Sequence, residues 1–246
     1  MTMNKIANIL FLTLFSLLIV ACAHKSGHRS RTISQDRKIE RQEVVRPSAV
    51  MSKMHSSKME GSEIFKKYSS AVFMVFTSDG SNIYQGSGFF ISDDGLAVSN
   101  YHVFKGTGIG DEAIKLLGDN TAYKVFEIYH RDEEHDFILF RVDCGQTNYI
   151  PVAKSKPEIG DRVFAIGSPR GLENTFSSGE VSQWRDKYLM QINALIDHGS
   201  SGGALINEYG EVVGITSGTF YDGSQANLNY AWSIDGSGNA AWTAAF

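Results

Sequence analysis

The chain has 246 residues, of which 42% are hydrophobic and 11% aromatic, enough to bury a sizeable core. Its formal net charge of −4 lacks the basic surplus that nucleic-acid-binding domains carry, so we expect no nucleic-acid partner. The 24 glycines, with only four prolines, separate short apolar runs and favour a sheet-rich fold with many tight turns.

The first 21 residues have the pattern of a secretory signal peptide. Lys5 precedes a largely apolar stretch over 9–20, which is too short to span a bilayer comfortably. The stretch ends in Ile-Val-Ala-Cys at 19–22, which resembles the bacterial lipobox, where the chain is cut before a cysteine that then receives acyl chains. We therefore predict a lipoprotein signal peptide over 1–21 and a lipid-modified Cys22 that anchors the chain to the membrane. The alternative is an ordinary export signal that happens to end in cysteine.

The segment that follows is polar, and its positive and negative charges are mixed. It lacks strand-like alternation, so we predict a flexible polar tether over 22–61. Its positive surplus either lies near anionic headgroups or belongs to a plain spacer. Ala23, rather than aspartate, directly after the lipobox cysteine implies sorting to the periplasmic face of the outer membrane in a Gram-negative cell.

From residue 62 onward, short apolar runs alternate with turn signals. A short helix is predicted over 63–68, and Asp-Asp-Gly at 93–95 predicts a hairpin. The other predicted elements are strands over 71–76, 86–92, 96–98, 122–126, 136–142, 162–166, 188–192, 203–206, 212–217 and 228–234. This rhythm predicts an all-β domain over 62–246, with one barrel at about 70–152 and a second at about 157–236.

Two further features carry no predicted chemistry. Cys144 is the only cysteine after Cys22, so the domain cannot form an internal disulfide, and a half-buried structural thiol is expected. His130, His135 and Asp136 suggest a metal cluster, but their spacing lacks a matching second ligand group. We predict neither a metal nor a cofactor.

Three sites near strand ends carry residue types used in nucleophilic catalysis. His102 follows one predicted strand, Asp136 opens another, and Gly-Ser-Ser-Gly-Gly at 199–203 places two serines in a turn. A serine hydroxyl is a poor nucleophile at neutral pH, so it needs a base to accept its proton and an acid to orient that base. Taken singly, each residue has a structural interpretation: a satisfied histidine, a strand-end cap and a turn serine.

Five motifs in order along 62–236 resemble the trypsin-like serine proteases of the HtrA (Deg) type. They are GSGFFISDDGLAVSNYHVF, HDFILFRV, VFAIGSPRGLENTFSSGEVS, GSSGGALIN and GEVVGITSG. The resemblance implies two six-stranded barrels preceded by a short helix, with the active site in the cleft between them.

The resemblance also implies roles for individual residues. Ser201 matches the nucleophile, His102 the general base and Asp136 the acid that orients it. The backbone N–H groups of Gly199 and Ser201 match the oxyanion hole, and Ser217 occupies a position that can hydrogen-bond the aspartate. The family usually has asparagine, and its digestive branch aspartate, just before the nucleophile. Ser200 stands there in this chain, which leaves the shape of the oxyanion turn open.

The predicted substrate pocket is apolar. Leu195 lies six residues before Ser201, where trypsin itself has an acid, and Ile196 follows it. A buried cation without a counter-charge would be costly, so we predict cleavage after small or medium apolar residues. The predicted pocket residues are Leu195, Ile196, Thr216, Ser217, Gly218 and Tyr230.

These features predict an exported, lipid-anchored serine endopeptidase that acts on unfolded or misfolded polypeptides. The alternative is a catalytically weak or regulated binding module that holds exposed strands in the same cleft. HtrA-type proteases usually carry PDZ domains, and the residues between the last predicted strand and Phe246 leave no room for one; the sequence leaves open whether Phe246 is the natural end of the protein. The sequence leaves the oligomeric state open.

Overall fold

A computed structural model of the chain describes residues 57–108, 110–219 and 228–234. The predicted signal peptide, the lipidation site Cys22 and most of the predicted tether lie outside these residues. Within the described part of the chain, no helix is both long and apolar enough to cross a membrane.

One short helix, α1 (Gly61–Tyr68), precedes the strands, as predicted. Glu60 caps it, because the Glu60 side chain and the side chain of Glu63 each accept a backbone N–H of the first turn. The apolar face of α1 buries Ile64 and Tyr68 in the main core. Burying an isoleucine of this kind contributes about 1.5–3 kcal/mol, which is enough to fix a helix too short to be stable alone.

The first sheet has seven antiparallel strands in the order β5-β4-β1-β2-β3-β7-β6. Its strands are β1 (Val72–Ser78), β2 (Ile83–Phe90), β3 (Leu96–Ser99), β4 (Ala113–Lys115), β5 (Ala122–Tyr123), β6 (Val125–Asp132) and β7 (Phe137–Val142). The hairpin predicted at 93–95 is confirmed, since Phe89 pairs with Val98 and Phe90 with Ala97. A four-residue helix, α2 (Tyr101–Phe104), follows β3 directly.

The second sheet is a closed six-stranded barrel in the order β10-β13-β12-β11-β8-β9. Its strands are β8 (Arg162–Gly167), β9 (Thr175–Trp184), β10 (Leu189–Ile192), β11 (Ala204–Asn207), β12 (Val212–Thr219) and β13 (Asn229–Ser233). The predicted all-β, two-barrel fold with a short N-terminal helix is confirmed, and the first of the two is a half-barrel.

The main core cluster takes side chains from both sheets and from α1. Phe89 of the first sheet, Phe164 of the second and Ile64 of the helix are all fully buried in this cluster. Each sheet also buries a cluster of its own on its other side. Because the shared cluster holds the two sheets together, residues on β2, β3, β7 and β12 can form one site.

Candidate active site

His102 and Asp136 are joined by two hydrogen bonds. His102 lies on α2, and its Nδ1 is 2.8 Å from Asp136 Oδ2. The backbone N–H of His102 donates to the other carboxylate oxygen, Oδ1, at 2.9 Å. The two contacts fix the ring against the carboxylate, and the His102 side chain remains 46% exposed while that of Asp136 is 16% exposed. An imidazole held through Nδ1 has its other nitrogen, Nε2, on the side of the ring away from the carboxylate.

Asp136 adopts a backbone conformation that places it outside the strand it was predicted to open. Its φ is 51°, in the left-handed region that aspartate tolerates better than most residues. Strand β7 therefore begins at Phe137, one residue later than predicted. The turn is held by Asn100, whose Nδ2 donates to the Asp136 carbonyl at 2.8 Å. Ser217, on β12, donates its hydroxyl to Asp136 Oδ2 at 2.8 Å.

Ser201 lies in the turn before β11, close to the strand that carries Ser217. Its carbonyl accepts the Ser87 N–H at 2.8 Å, and the next N–H, that of Gly202, donates to the Thr216 carbonyl at 2.8 Å. Ser201 Oγ is 3.6 Å from the point where a Cβ on Gly218 would stand. The serine thus neighbours the Ser217–Asp136–His102 chain of hydrogen bonds, but among the described residues none accepts its hydroxyl hydrogen bond, His102 included.

The turn before Ser201 requires glycine at position 199. Gly199 has a φ of 94°, and a Cβ there would stand 2.7 Å from Gln85 Oε1, so only glycine fits. The turn is closed by Ser200 N–H donating to the Asp197 carbonyl at 2.9 Å. The serine that replaces the family residue at 200 is therefore compatible with an ordered turn. Neither the Gly199 nor the Ser201 N–H donates to another residue in the described ranges.

Only some of the predicted substrate-pocket residues line one cavity in the structure. A cavity of about 330 Å³ lies behind the oxyanion turn, and Leu195, Ile196 and Thr216 line it. Ser217, Gly218 and Tyr230 do not line this cavity. Leu195 is also 66% exposed, so it is not the buried floor that the sequence suggested. Thr216 is buried, and its hydroxyl donates to the Ser200 carbonyl at 2.7 Å.

Charge near the cavity is balanced by an ion pair. Arg170 Nε is 2.9 Å from Asp197 Oδ2, and Asp197 is one of the lining residues. The backbone N–H of His198 has the largest effect on the pKa of Asp197 and lowers it. Burial opposes this effect, and the contacts with Arg170 add to the lowering, so the pKa lies below its usual range. Asp197 is therefore ionised and already paired, which leaves little of its charge to attract a substrate cation.

The remaining titratable candidates lie away from this site or lack metal-site geometry. Burial, with a smaller effect of neighbouring Asp143, raises the pKa of Cys144 to about 11, so this thiol stays protonated at neutral pH. His135 binds Asp132 rather than Asp136, with Nδ1 2.9 Å from Asp132 Oδ2. Across the described residues, no group of three or more His, Cys, Asp or Glu side chains could hold a metal ion.

The sequence did not single out the residues that support these groups. Asn100 lies within the histidine motif, and its contact with the Asp136 backbone spans 36 positions. Ser87 and Gln85 on β2 contact the oxyanion region over still longer separations. A polar residue inside an otherwise apolar strand, as at Ser87, is the signal that could have identified them.

The chain is similar to known serine proteases. A family model described as a trypsin-like peptidase domain matches residues 86–215, which are 130 of the 246 residues. A protein named probable periplasmic serine endoprotease DegP-like, from Halomonas elongata, is 36% identical over 159 residues, covering 61% of this chain and 33% of that protein. Serine protease HTRA1A from Danio rerio is 35% identical over 161 residues, covering 58% of this chain and 32% of that protein.

A solved structure agrees with these sequence matches. The serine endoprotease from Yersinia pestis superposes with a TM-score of 0.63 at 26% identity, covering 72% of this chain and 63% of that one. The chain spans about a third of the length of the curated relatives it matches. Because the family model matches more than half of the chain, the chain belongs to the trypsin-like peptidase family.

Proposed function

We propose that the chain is an exported, lipid-anchored serine endopeptidase that hydrolyses peptide bonds in unfolded or misfolded polypeptides. The observation that carries this proposal is the Asp136 carboxylate, which binds both the ring and the backbone of His102 and also accepts the Ser217 hydroxyl. A histidine held by an acid beside a serine in a glycine turn is the arrangement required for acyl transfer.

In the proposed reaction, Ser201 Oγ attacks the carbonyl carbon of the substrate while His102 Nε2 takes the hydroxyl proton. Asp136 keeps the proton of His102 on Nδ1 and stabilises the imidazolium that forms. The Gly199 and Ser201 N–H groups receive the negative oxygen of the tetrahedral intermediate. As its C–N bond breaks, His102 gives the proton to the leaving amine. Water then attacks the acyl-enzyme with the same proton transfers, which releases the acid and restores Ser201.

The free Ser201 hydroxyl is compatible with this reaction. Catalytic hydrogen bonds are often long or poorly aligned without substrate and tighten when it binds. Rotation of the Ser201 side chain needs no movement of the turn, because the turn is held through backbone groups on both sides of the serine. The N–H groups of the turn each typically contribute about 10²–10³ in kcat.

We propose a preference for small or medium apolar residues before the cut. Ile196 supplies apolar surface near the site, and Asp197, the one acid among the described residues that line the adjacent cavity, is paired with Arg170. A lysine or arginine entering beside these groups would lose solvation without gaining a free counter-charge. Cleavage of a randomised peptide library tests this preference, and dominant cutting after arginine or lysine would overturn it.

We propose that the mature chain is held in the cell envelope by acyl chains on Cys22. The support is the lipobox-like sequence at 19–22 and the names of relatives called periplasmic endoproteases. Mass spectrometry of the mature N-terminal peptide should find acylated Cys22, and Cys22→Ser should move the protein from the membrane to the soluble fraction. An unmodified Cys22 in membrane-free protein would contradict the anchor and leave the protease proposal intact.

The competing function is a protease-fold module that holds exposed strands without cutting them. The observation that favours it is the missing hydrogen bond between Ser201 and His102 among the described residues. A reduced, unfolded protein incubated with the wild type and with Ser201→Ala separates the two functions. A protease cleaves it only in the wild type, whereas a module binds it equally well in both proteins and cleaves it in neither.

A further inference from the structure

Strand β2 of the first sheet sends two polar side chains across to the oxyanion turn of the second. Gln85 and Ser87 are two residues apart, so they project from the same face of the strand. Ser87 is fully buried and Gln85 is partly buried. Both therefore make directional contacts in a place where an unpaired polar group would be costly.

Every polar group of Ser87 is engaged at the site. Its hydroxyl donates to the Gly199 carbonyl at 2.7 Å and accepts the Ser168 N–H at 2.9 Å. Its backbone N–H donates to the Ser201 carbonyl at 2.8 Å, and its own carbonyl accepts the Ser99 hydroxyl at 2.7 Å. Ser87 thus holds the carbonyl groups on both sides of Ser200.

Gln85 holds the neighbouring turn over 168–171. Its Nε2 donates to the Ser168 carbonyl at 2.5 Å, and its Oε1 accepts the Gly171 N–H at 2.8 Å. Between these two anchors lies Arg170, whose φ of 53° is in the left-handed region that non-glycine residues rarely adopt. Such a conformation persists only where surrounding contacts over-determine it, and Gln85 provides two of those contacts.

The 168–171 turn in turn sets the direction of an oxyanion donor. The Arg170 N–H donates to the His198 carbonyl at 2.9 Å. The peptide bond between His198 and Gly199 is planar and trans, so fixing the His198 carbonyl on one side fixes the Gly199 N–H on the other. In the same way, the Thr216 hydroxyl on the Ser200 carbonyl fixes the Ser201 N–H.

We propose that Gln85 and Ser87 are positioning residues that aim the oxyanion hole, with Gln85 acting through Arg170 and His198 on the Gly199 N–H. The inference rests on the proposed peptidase function, because it assigns these residues to the hole that the reaction uses. On this proposal, the first sheet, whose connecting segments carry His102 and Asp136, also fixes the direction of the N–H donors in the turn before β11 of the second sheet.

The main test is Gln85→Met, which keeps the size of the side chain and removes both hydrogen bonds. Ser87→Ala is the second variant, and Thr147→Val is the matched control. Thr147 also donates its hydroxyl to a backbone carbonyl, that of Ser92 in the turn between β2 and β3, at 3.0 Å. Hydrolysis of a peptide substrate gives kcat and KM separately, and the amide signals of Gly199 and Ser201 in a ¹H–¹⁵N spectrum report the turn without needing activity.

We expect Gln85→Met to lower kcat by about 10- to 100-fold with KM within about twofold, because a misdirected donor loses part of the 10²–10³ that a whole donor supplies. The Gly199 amide signal should shift or broaden in Gln85→Met and Ser87→Ala and stay in place in Thr147→Val. A kcat within twofold of the control, with an unmoved Gly199 signal, would overturn the inference and leave the peptidase proposal standing. If the wild type itself cleaves nothing, the peptidase proposal fails. The Gly199 signal then decides whether Gln85 holds the turn: a shift in Gln85→Met that is absent in Thr147→Val supports it, and no shift refutes it.

Discussion

Among the residues that the structure describes, two His–Asp pairs have nearly the same hydrogen bonds, His102 with Asp136 and His135 with Asp132. In each pair, histidine Nδ1 contacts Oδ2, at 2.8 and 2.9 Å, and the histidine backbone N–H donates to Oδ1, at 2.9 and 3.0 Å. The geometry of a His–Asp pair therefore does not by itself identify a catalytic base.

The surroundings of the two pairs differ. His135 is three residues from Asp132, and its ring packs edge-on against Tyr188, with ring centroids 4.7 Å apart. The His102–Asp136 pair spans 34 positions and gains a hydroxyl from a third segment, that of Ser217. The local pair joins the first sheet to aromatic rings at 188 and 232, whereas the long-range pair is linked through Ser217 to the strand beside Ser201. What distinguishes a base is the neighbour that its free nitrogen can reach.

Replacing the two histidines should give the largest contrast. We expect His102→Ala to lower kcat by about 10⁴- to 10⁶-fold, as the loss of a triad base does in related chemistry. His135→Ala should keep kcat within a few-fold, although it loses ring packing and some stability. Peptide hydrolysis by the two purified variants checks this, and comparable losses in both would contradict the assignment of the base.

Replacing the two aspartates should give the same contrast in kcat, with a smaller loss. Asp136→Asn keeps the shape of the pair but no longer holds the proton on His102 Nδ1, and we expect kcat to fall by about 10⁴-fold. Asp132→Asn is the matched control, because it makes the same change in a pair whose hydrogen bonds have nearly the same lengths. Equal activity of the two variants at neutral pH would show that Asp136 does not orient the base.

Ser217 should contribute a moderate effect through Asp136. Ser217→Ala removes one hydrogen bond to a carboxylate, a contact worth about 1.5–3 kcal/mol when the acceptor is charged. We expect a loss of roughly tenfold in kcat, since His102 still holds both carboxylate oxygens. Steady-state kinetics of Ser217→Ala and of the wild type measure this loss. An unchanged kcat would show that the hydrogen bond from Ser217 to Asp136 does not contribute to catalysis.

The His135–Asp132 pair should affect the stability of the protein at low pH rather than its catalytic activity. Burial raises the pKa of Asp132, but the backbone and ring hydrogen bonds from His135 lower it more, so its pKa lies below the usual range. A carboxyl group whose pKa is lower in the folded than in the unfolded protein stabilises the fold at pH values above its unfolded-state pKa, about 3.9. This stabilisation is lost as the pH falls through the pKa of the folded state.

Urea unfolding at pH 7 and at about pH 3 checks this expectation, because the window lies at and below the reference pKa of aspartate. The wild type should lose more stability between these pH values than Asp132→Asn does. Identical losses would mean that the His135 contacts do not stabilise the ionised form of Asp132. This is the smallest of the expected effects.

The sequence predicted the parts of this molecule whose pattern is local. Strands β1, β7, β8 and β12 are apolar runs, and the turn at 93–95 carries its own signal. Strand β9 was missed because Val181 is its only fully buried residue, so its sequence lacks the alternation of a half-buried strand. The predicted strand over 122–126 is divided at Lys124 between β5 and β6.

For the site, residue types near strand ends named His102, Asp136 and the two serines of the 199–203 turn as candidates, and the resemblance to HtrA-type proteases selected Ser201. Their supports were not predictable, because the hydrogen bond from Ser87 to Gly199 spans 112 positions. The exposed position of Leu195 was also missed, because its separation of six residues from Ser201 does not determine on which side of the turn its side chain lies. Local patterns thus predict elements and candidate groups, and the tertiary structure decides their partners.

The central claim is that Ser201 is a nucleophile activated by His102, and covalent labelling tests it most directly. The protein is treated with a fluorophosphonate at about pH 8, above the reference pKa of free histidine, about 6.5, and is then digested and analysed by mass spectrometry. The account predicts one adduct, on Ser201, that persists in His135→Ala and is lost in His102→Ala and in urea. No adduct on Ser201 in the folded wild type, or an adduct that forms equally well in His102→Ala, would contradict it.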